Sequence, residues 1–135
     1  MVKMTIDYEG DLHCRLTHLP SGTKISTDAP KDNMGKGESF SPTDLVSSAL
    51  GACMMTLMGI FAKRHSIELT GTKVTVQKEM TDAPRRIKRI EVVIEMAAGI
   101  SKNHRPALET AALTCPVRKS IHPDIEVPVK FIYPD

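Results

Sequence analysis

Hydrophobic and polar positions change their period several times along the chain. Near the N-terminus they alternate. Met4-Thr5-Ile6-Asp7-Tyr8 is β-prone, and Leu12, Cys14 and Leu16 alternate with His13, Arg15 and Thr17. Turns at Glu9-Gly10-Asp11 and Pro20-Ser21-Gly22 separate these strands from a third over 23–27. Residues 29–40 form a charged loop with Gly and Pro, long enough for a lid or a partner contact. Residues 45–62 carry no charge, and alternation then returns over 68–79 and 88–96, around an Asp82-Ala83-Pro84 turn. Leu108, Ala111, Ala112 and Cys115 follow the i, i+3, i+4, i+7 spacing of a helix over 103–114. A short turn over 117–121 and a strand over 127–132 complete the chain. The order of strands and helices predicts an α+β domain with antiparallel sheets around one long helix, and not a doubly wound sheet.

The long helix has a well-marked start. Ser41 caps it, Pro42 takes the first helical position, and Asp44 stands where a carboxylate answers exposed amides. Lys63, Arg64 and His65 suit its negative end. Such a helix is about 33 Å long, in a domain whose radius of gyration is about 14 Å. It is apolar nearly all the way round, from Leu45 and Val46 to Ile60 and Phe61. One small domain cannot cover such a helix on every face, so a second subunit is expected to complete the cover. A membrane span is the competing reading. Ser47, Ser48, Gly51, Thr56 and Gly59 dilute the apolar run, and no aromatic belt flanks it, which favours a buried helix.

Composition narrows the function classes. The 135 residues suit one domain, 1–135, and 41% apolar with 25% charged residues describe a folded chain. A net charge of +2 and few aromatics argue against nucleic-acid binding. The basic run 85–89 reads as a solvated strand edge. Three cysteines make no disulfide scaffold. No signal peptide opens the sequence, so the expected location is the cytoplasm. The five histidines have no metal-ligand spacing, no phosphate loop or C-x-x-C is present, and neither a metal nor a cofactor is expected.

The cysteines remain as candidate chemistry. Cys14 shares a strand face with Leu12 and Leu16 and reads as core. Cys53 lies mid-helix among Ser47, Ser48, Ala49, Gly51 and Ala52. Gly51 and Gly59 each cost the helix about 1 kcal/mol relative to Ala, which implies close packing by another helix or a ligand. Cys115 precedes Pro116, where it can cap the following turn, and amides at a helix start lower a thiol's pKa. Arg118 and Lys119 follow within one turn. By spacing alone, both cysteines read first as small buried hydrophobes, with Cys115 electrostatically the more suggestive of the two.

From Ser41-Pro42-Thr43-Asp44-Leu45 through Ala49-Leu50-Gly51-Ala52-Cys53, and again at Cys115-Pro116-Val117-Arg118-Lys119, the chain resembles the OsmC/Ohr family. The likeness covers nearly its whole length. It implies an OsmC-like fold in an intertwined homodimer, and a thiol peroxidase of organic hydroperoxides with Cys53 as the peroxidatic and Cys115 as the resolving cysteine. A small or protein-bound dithiol would be the reductant. In the best-studied peroxidases a glutamate directly follows the proline of the helix start and pairs with an arginine from the N-terminal strands. Here that position is Thr43, Asp44 comes next, and Arg15 is the arginine available, with Glu79 or Arg118 as substitutes. The alternative within the fold is a non-peroxidase OsmC-like protein that binds a small apolar ligand.

Overall fold

The N-terminal alternation folds into three antiparallel strands, β1 (Met4–Gly10), β2 (His13–His18) and β3 (Lys24–Asp28), in that spatial order. They belong to the first of two compact units in the computed structural model, which describes residues 1–134. The first unit is Met1–Val46 and the second begins at Ser47. Cross-strand pairing puts Met4 opposite His18, Ile6 opposite Leu16, Tyr8 opposite Cys14, and Leu16 opposite Ile25, all on one face. That face is not a core. Ile6 and Tyr8 remain more than 60% exposed, and Cys14 is only half-buried. The expectation that Leu12, Cys14 and Leu16 line the subunit's core is thus corrected. Leu12 lies in the turn with a left-handed φ of 61°, outside the strand. On the apolar face Met4, Ile6, Tyr8 and Ile25 are exposed.

The helix start is as the sequence predicts. In α1 (Pro42–Arg64) the Asp44 N–H donates to Ser41 Oγ at 3.1 Å and the Ser41 N–H donates to Asp44 Oδ2 at 2.9 Å, a reciprocal capping box. Beyond it, β4 (Lys73–Asp82) and β5 (Arg85–Glu95) pair antiparallel, and β6 (Val129–Ile132) adds parallel to β5. β4 starts later than the alternation suggests. Gly71 at φ +99° and the Thr72 N–H donating to the Leu69 carbonyl turn the chain first. Two short helices, α2 (Arg105–Leu113) and α3 (Pro116–Ser120), lie between β5 and β6.

The core of the second unit gathers Leu50, Met54 and Met58 of α1, Ile90, Val92 and Ile94 of β5, and Leu108 and Ala112 of α2. Each such large side chain, once fully buried, contributes about 1.5–3 kcal/mol. α1 is long and apolar enough to cross a membrane by length and composition, with a mean hydropathy of 1.9 over its most apolar window. Only one stripe of it is buried. Val46, Ala49, Ala52, Thr56 and Ile60 form an exposed stripe with no charge in it.

Candidate functional site

Cys53 and Cys115 are both in the second unit, and the fold brings them together. α2 presents Leu108 and Ala112 to the core on successive turns, and Cys115 continues that stripe with no exposed surface. Pro116 ends the run. It forces Cys115 out of helical geometry, to φ −55° and ψ 121°, and serves as the first residue of α3. In this extended conformation Cys115 Sγ turns back and accepts the Arg118 N–H at 3.4 Å, so the sulfur caps α3. The same sulfur lies 4.0 Å from the Leu50 carbonyl, on the helical turn of α1 that leads into Cys53. Cys53 is half-buried, and it is near enough to Cys115 to help raise the pKa of that thiol.

The electrostatics of Cys115 are decided by burial. Its pKa is raised, first by desolvation and then by the hydrogen bond and charge interaction with Cys53. The backbone amides of Arg118 and Val117 pull the other way, as expected of a helix start, but lose to burial. Cys115 therefore holds its proton, which its Sγ directs toward the Leu50 carbonyl. A protonated, buried thiol in contact with a second, half-buried one suits dithiol–disulfide interconversion.

Three of the other candidates, Arg15, Asp44 and Glu79, have partners of their own. Arg15 is on β2 in the first unit, where its Nη2 pairs with Glu9 Oε2 at 3.2 Å. Asp44 belongs to the capping box, and Thr43 Oγ1 lies 3.3 Å from Ser41 Oγ. Val74 and Val76 of β4 face α1, so Glu79 falls on the opposite, exposed face. There its Oε1 meets Lys88 Nζ at 3.5 Å, so its carboxylate is not turned toward the helix that carries Cys53. Ser48, Gly51, Ala52, Met55, Val74 and Val76 line a groove of about 310 Å³ between α1 and β4. Cys53 is not among its lining residues. Among the described residues no three His, Cys, Asp or Glu side chains are arranged to hold a metal ion.

Two polar constellations have no counterpart in the sequence reading. Tyr133, just past β6, donates to Glu109 Oε2 at 2.7 Å while the Arg105 guanidinium stacks over its ring at 4.1 Å. In the first unit, His13 Nδ1 is 2.5 Å from Asp28 Oδ1, and Asp28 Oδ2 accepts the Glu38 N–H at 3.0 Å. Both link segments far apart in sequence, so no local spacing announces them. A lone tyrosine beyond the last strand was the one available hint for the first.

A family model described as OsmC-like protein matches residues 35–130. Among solved structures, a Psychrobacter arcticus 273-4 protein, described provisionally as an osmotic stress induced and detoxification response protein, is 43% identical. The match covers 97% of this chain and 96% of that one, with a TM-score of 0.92. The organic hydroperoxide resistance protein OsmC of Legionella pneumophila is 16% identical over 98% and 96% of the two chains, with a TM-score of 0.76. OhrB of Bacillus subtilis, also an organic hydroperoxide resistance protein, is 18% identical over 97% of each, with a TM-score of 0.67. At these lower identities the likeness shows the shared fold. Among curated proteins, none matches the sequence.

Proposed function

This chain belongs to the OsmC-like family, a family of soluble proteins, and from that premise we propose that it is a thiol peroxidase that reduces organic hydroperoxides. The Cys53 thiolate attacks the distal oxygen of ROOH, releasing ROH and leaving Cys53 as a sulfenic acid. The Cys115 thiol then condenses with it, forming the Cys53–Cys115 disulfide and releasing water. A small or protein-bound dithiol returns both sulfurs to thiols, consistent with a place in the reducing cytoplasm. The observation that carries this reading is the juxtaposition of two thiols far apart in the chain: Cys115 Sγ lies 4.0 Å from the carbonyl of Leu50, three residues before Cys53, and Cys53 packs against the apolar cluster that contains Cys115. The apolar cluster to which both cysteines belong, with Leu50, Met54 and Leu57 among its members, favours an organic hydroperoxide over hydrogen peroxide by burial.

The chain, 1–135, acts in this reading as one OsmC-like domain, in a homodimer. The uncharged exposed stripe of α1 and the apolar face of β1–β2–β3 supply surface for a second copy. Arg15 and Asp44 remain candidates for activating Cys53. The test is thiol counting under denaturing conditions after treatment with cumene hydroperoxide. Loss of two thiols per chain is expected, abolished by Cys53→Ser. Full retention of thiols at stoichiometric oxidant would overturn the reading.

A further inference from the structure

We infer that Tyr133, held between Glu109 and Arg105, is a positioning residue that keeps Cys115 docked against Cys53 and so speeds the resolving step. The inference rests on the peroxidase reading above. Cys115 lies within the stretch of chain that the Tyr133–Glu109 bond closes, between the middle of α2 and the residue after β6. β6 is fixed by its pairing with β5, and Met96 N–H donates to the Ile132 carbonyl at 2.8 Å, next to Tyr133. Tyr133 therefore rides on the sheet, while Glu109 and Arg105 ride on α2. The phenol donates to a carboxylate, one of the stronger classes of protein hydrogen bond. Its ring supports the guanidinium, whose Nη2 donates to the Ile100 carbonyl at 3.3 Å. The first and middle turns of α2 are thus tied to the sheet, and a single residue, Thr114, separates α2 from Cys115. Burial and the Glu109 carboxylate also raise the Tyr133 pKa, which keeps the donor proton in place.

The function of such a tie is kinetic. A Cys53 sulfenic acid has two fates. It condenses with the Cys115 thiol, forming the S–S bond and releasing water, or it takes oxygen from a second ROOH, giving a sulfinic acid and ROH. Disulfide geometry needs Cα atoms within about 7 Å, so any excursion of α2 favours the second fate. In the attack on the first ROOH the new bond forms at Cys53, and Cys115 reacts only in the step that follows.

The experiment compares wild type, Tyr133→Phe and Glu109→Gln in the full chain. Single-turnover consumption of cumene hydroperoxide reads the attack. Quenched thiol counting reads disulfide formation, and intact mass reads the sulfinic acid as a gain of about 32 Da per chain. Tyr133→Phe is expected to leave attack within twofold of wild type and to slow disulfide formation by roughly tenfold, with a matching rise in sulfinic acid. Glu109→Gln keeps an acceptor oxygen and is expected to fall between the two. Val76→Ala, in β4, serves as a control for general loss of stability and should not alter the partition. Wild-type partitioning in Tyr133→Phe, or an equal change in Val76→Ala, would overturn the inference and leave the peroxidase reading standing. Absence of any disulfide in the wild type would overturn both.

Discussion

Gly51 sets how closely α1 approaches β4, and replacing it tests that contact in numbers. A Cβ at this position would lie 3.0 Å from Val76 Cγ1 and 3.2 Å from Val74 Cγ1. Relaxed carbon–carbon contacts are about 3.5–4.0 Å, so two branched side chains on a paired strand would have to yield by several tenths of an ångström. Overpacking of this kind costs about 1–3 kcal/mol. Against it stands the helix preference of alanine over glycine, about 1 kcal/mol. Gly51→Ala should therefore lose about 0–2 kcal/mol. Gly59 is the internal comparison, because it is in the same helix and a Cβ there meets nothing within 4 Å. Gly59→Ala should gain about 1 kcal/mol, leaving the two variants about 1–3 kcal/mol apart. With a urea m-value of about 2 kcal/mol/M, this separates their unfolding midpoints by roughly 1 M. The melts need one protein concentration, since a dimer's midpoint depends on it. A Gly51→Ala midpoint equal to or above that of Gly59→Ala would refute the close approach of α1 and β4.

Three further outcomes are expected. Ser41→Ala removes the acceptor for the Asp44 N–H and should cost about 1 kcal/mol in a urea melt, with Ser41→Asn restoring most of it. The Asp28 carboxylate is held below its usual pKa chiefly by its hydrogen bond with His13, which outweighs its burial. Because the folded value is depressed, the stabilisation is complete above the unfolded value of about 3.9 and is lost as pH falls through the folded one. The midpoint advantage of wild type over Asp28→Asn should thus shrink as pH falls from 5 toward 3; a gap unchanged at pH 3 contradicts the assignment. Light scattering at micromolar concentration should give twice the 14.8 kDa chain mass, and a stable monomer would remove the case for a second copy on the α1 stripe.

What the sequence disclosed was mostly what local periodicity encodes. The capping box of Ser41 and Asp44, the α2 stripe ending at Cys115, and the cap that Cys115 places on α3 all depend on steps of no more than four positions along the chain. Cys53 and Cys115 were paired by the family resemblance, because no period relates two residues on different helices. Alternation also misled. It cannot tell a face packed on its own core from one left bare, so Cys14 and Leu16 read as interior although Ile6 and Tyr8 beside them are exposed. The pKa of Cys115 failed for a related reason. The amides that lower it are local and visible in the sequence, whereas the desolvation that wins is tertiary. Tyr133, Glu109 and Arg105 meet only once β6 has docked beside β5.

The cap formed by Cys115 Sγ bears on how a knockout of that residue is built. Alanine would delete the redox-active atom and leave the Arg118 amide without its acceptor, mixing chemistry with architecture. A hydroxyl is among the preferred groups at this place, so Cys115→Ser removes the sulfur and preserves the start of α3. The serine and alanine versions, compared side by side, separate what that atom does as a reagent from what it does as scaffolding.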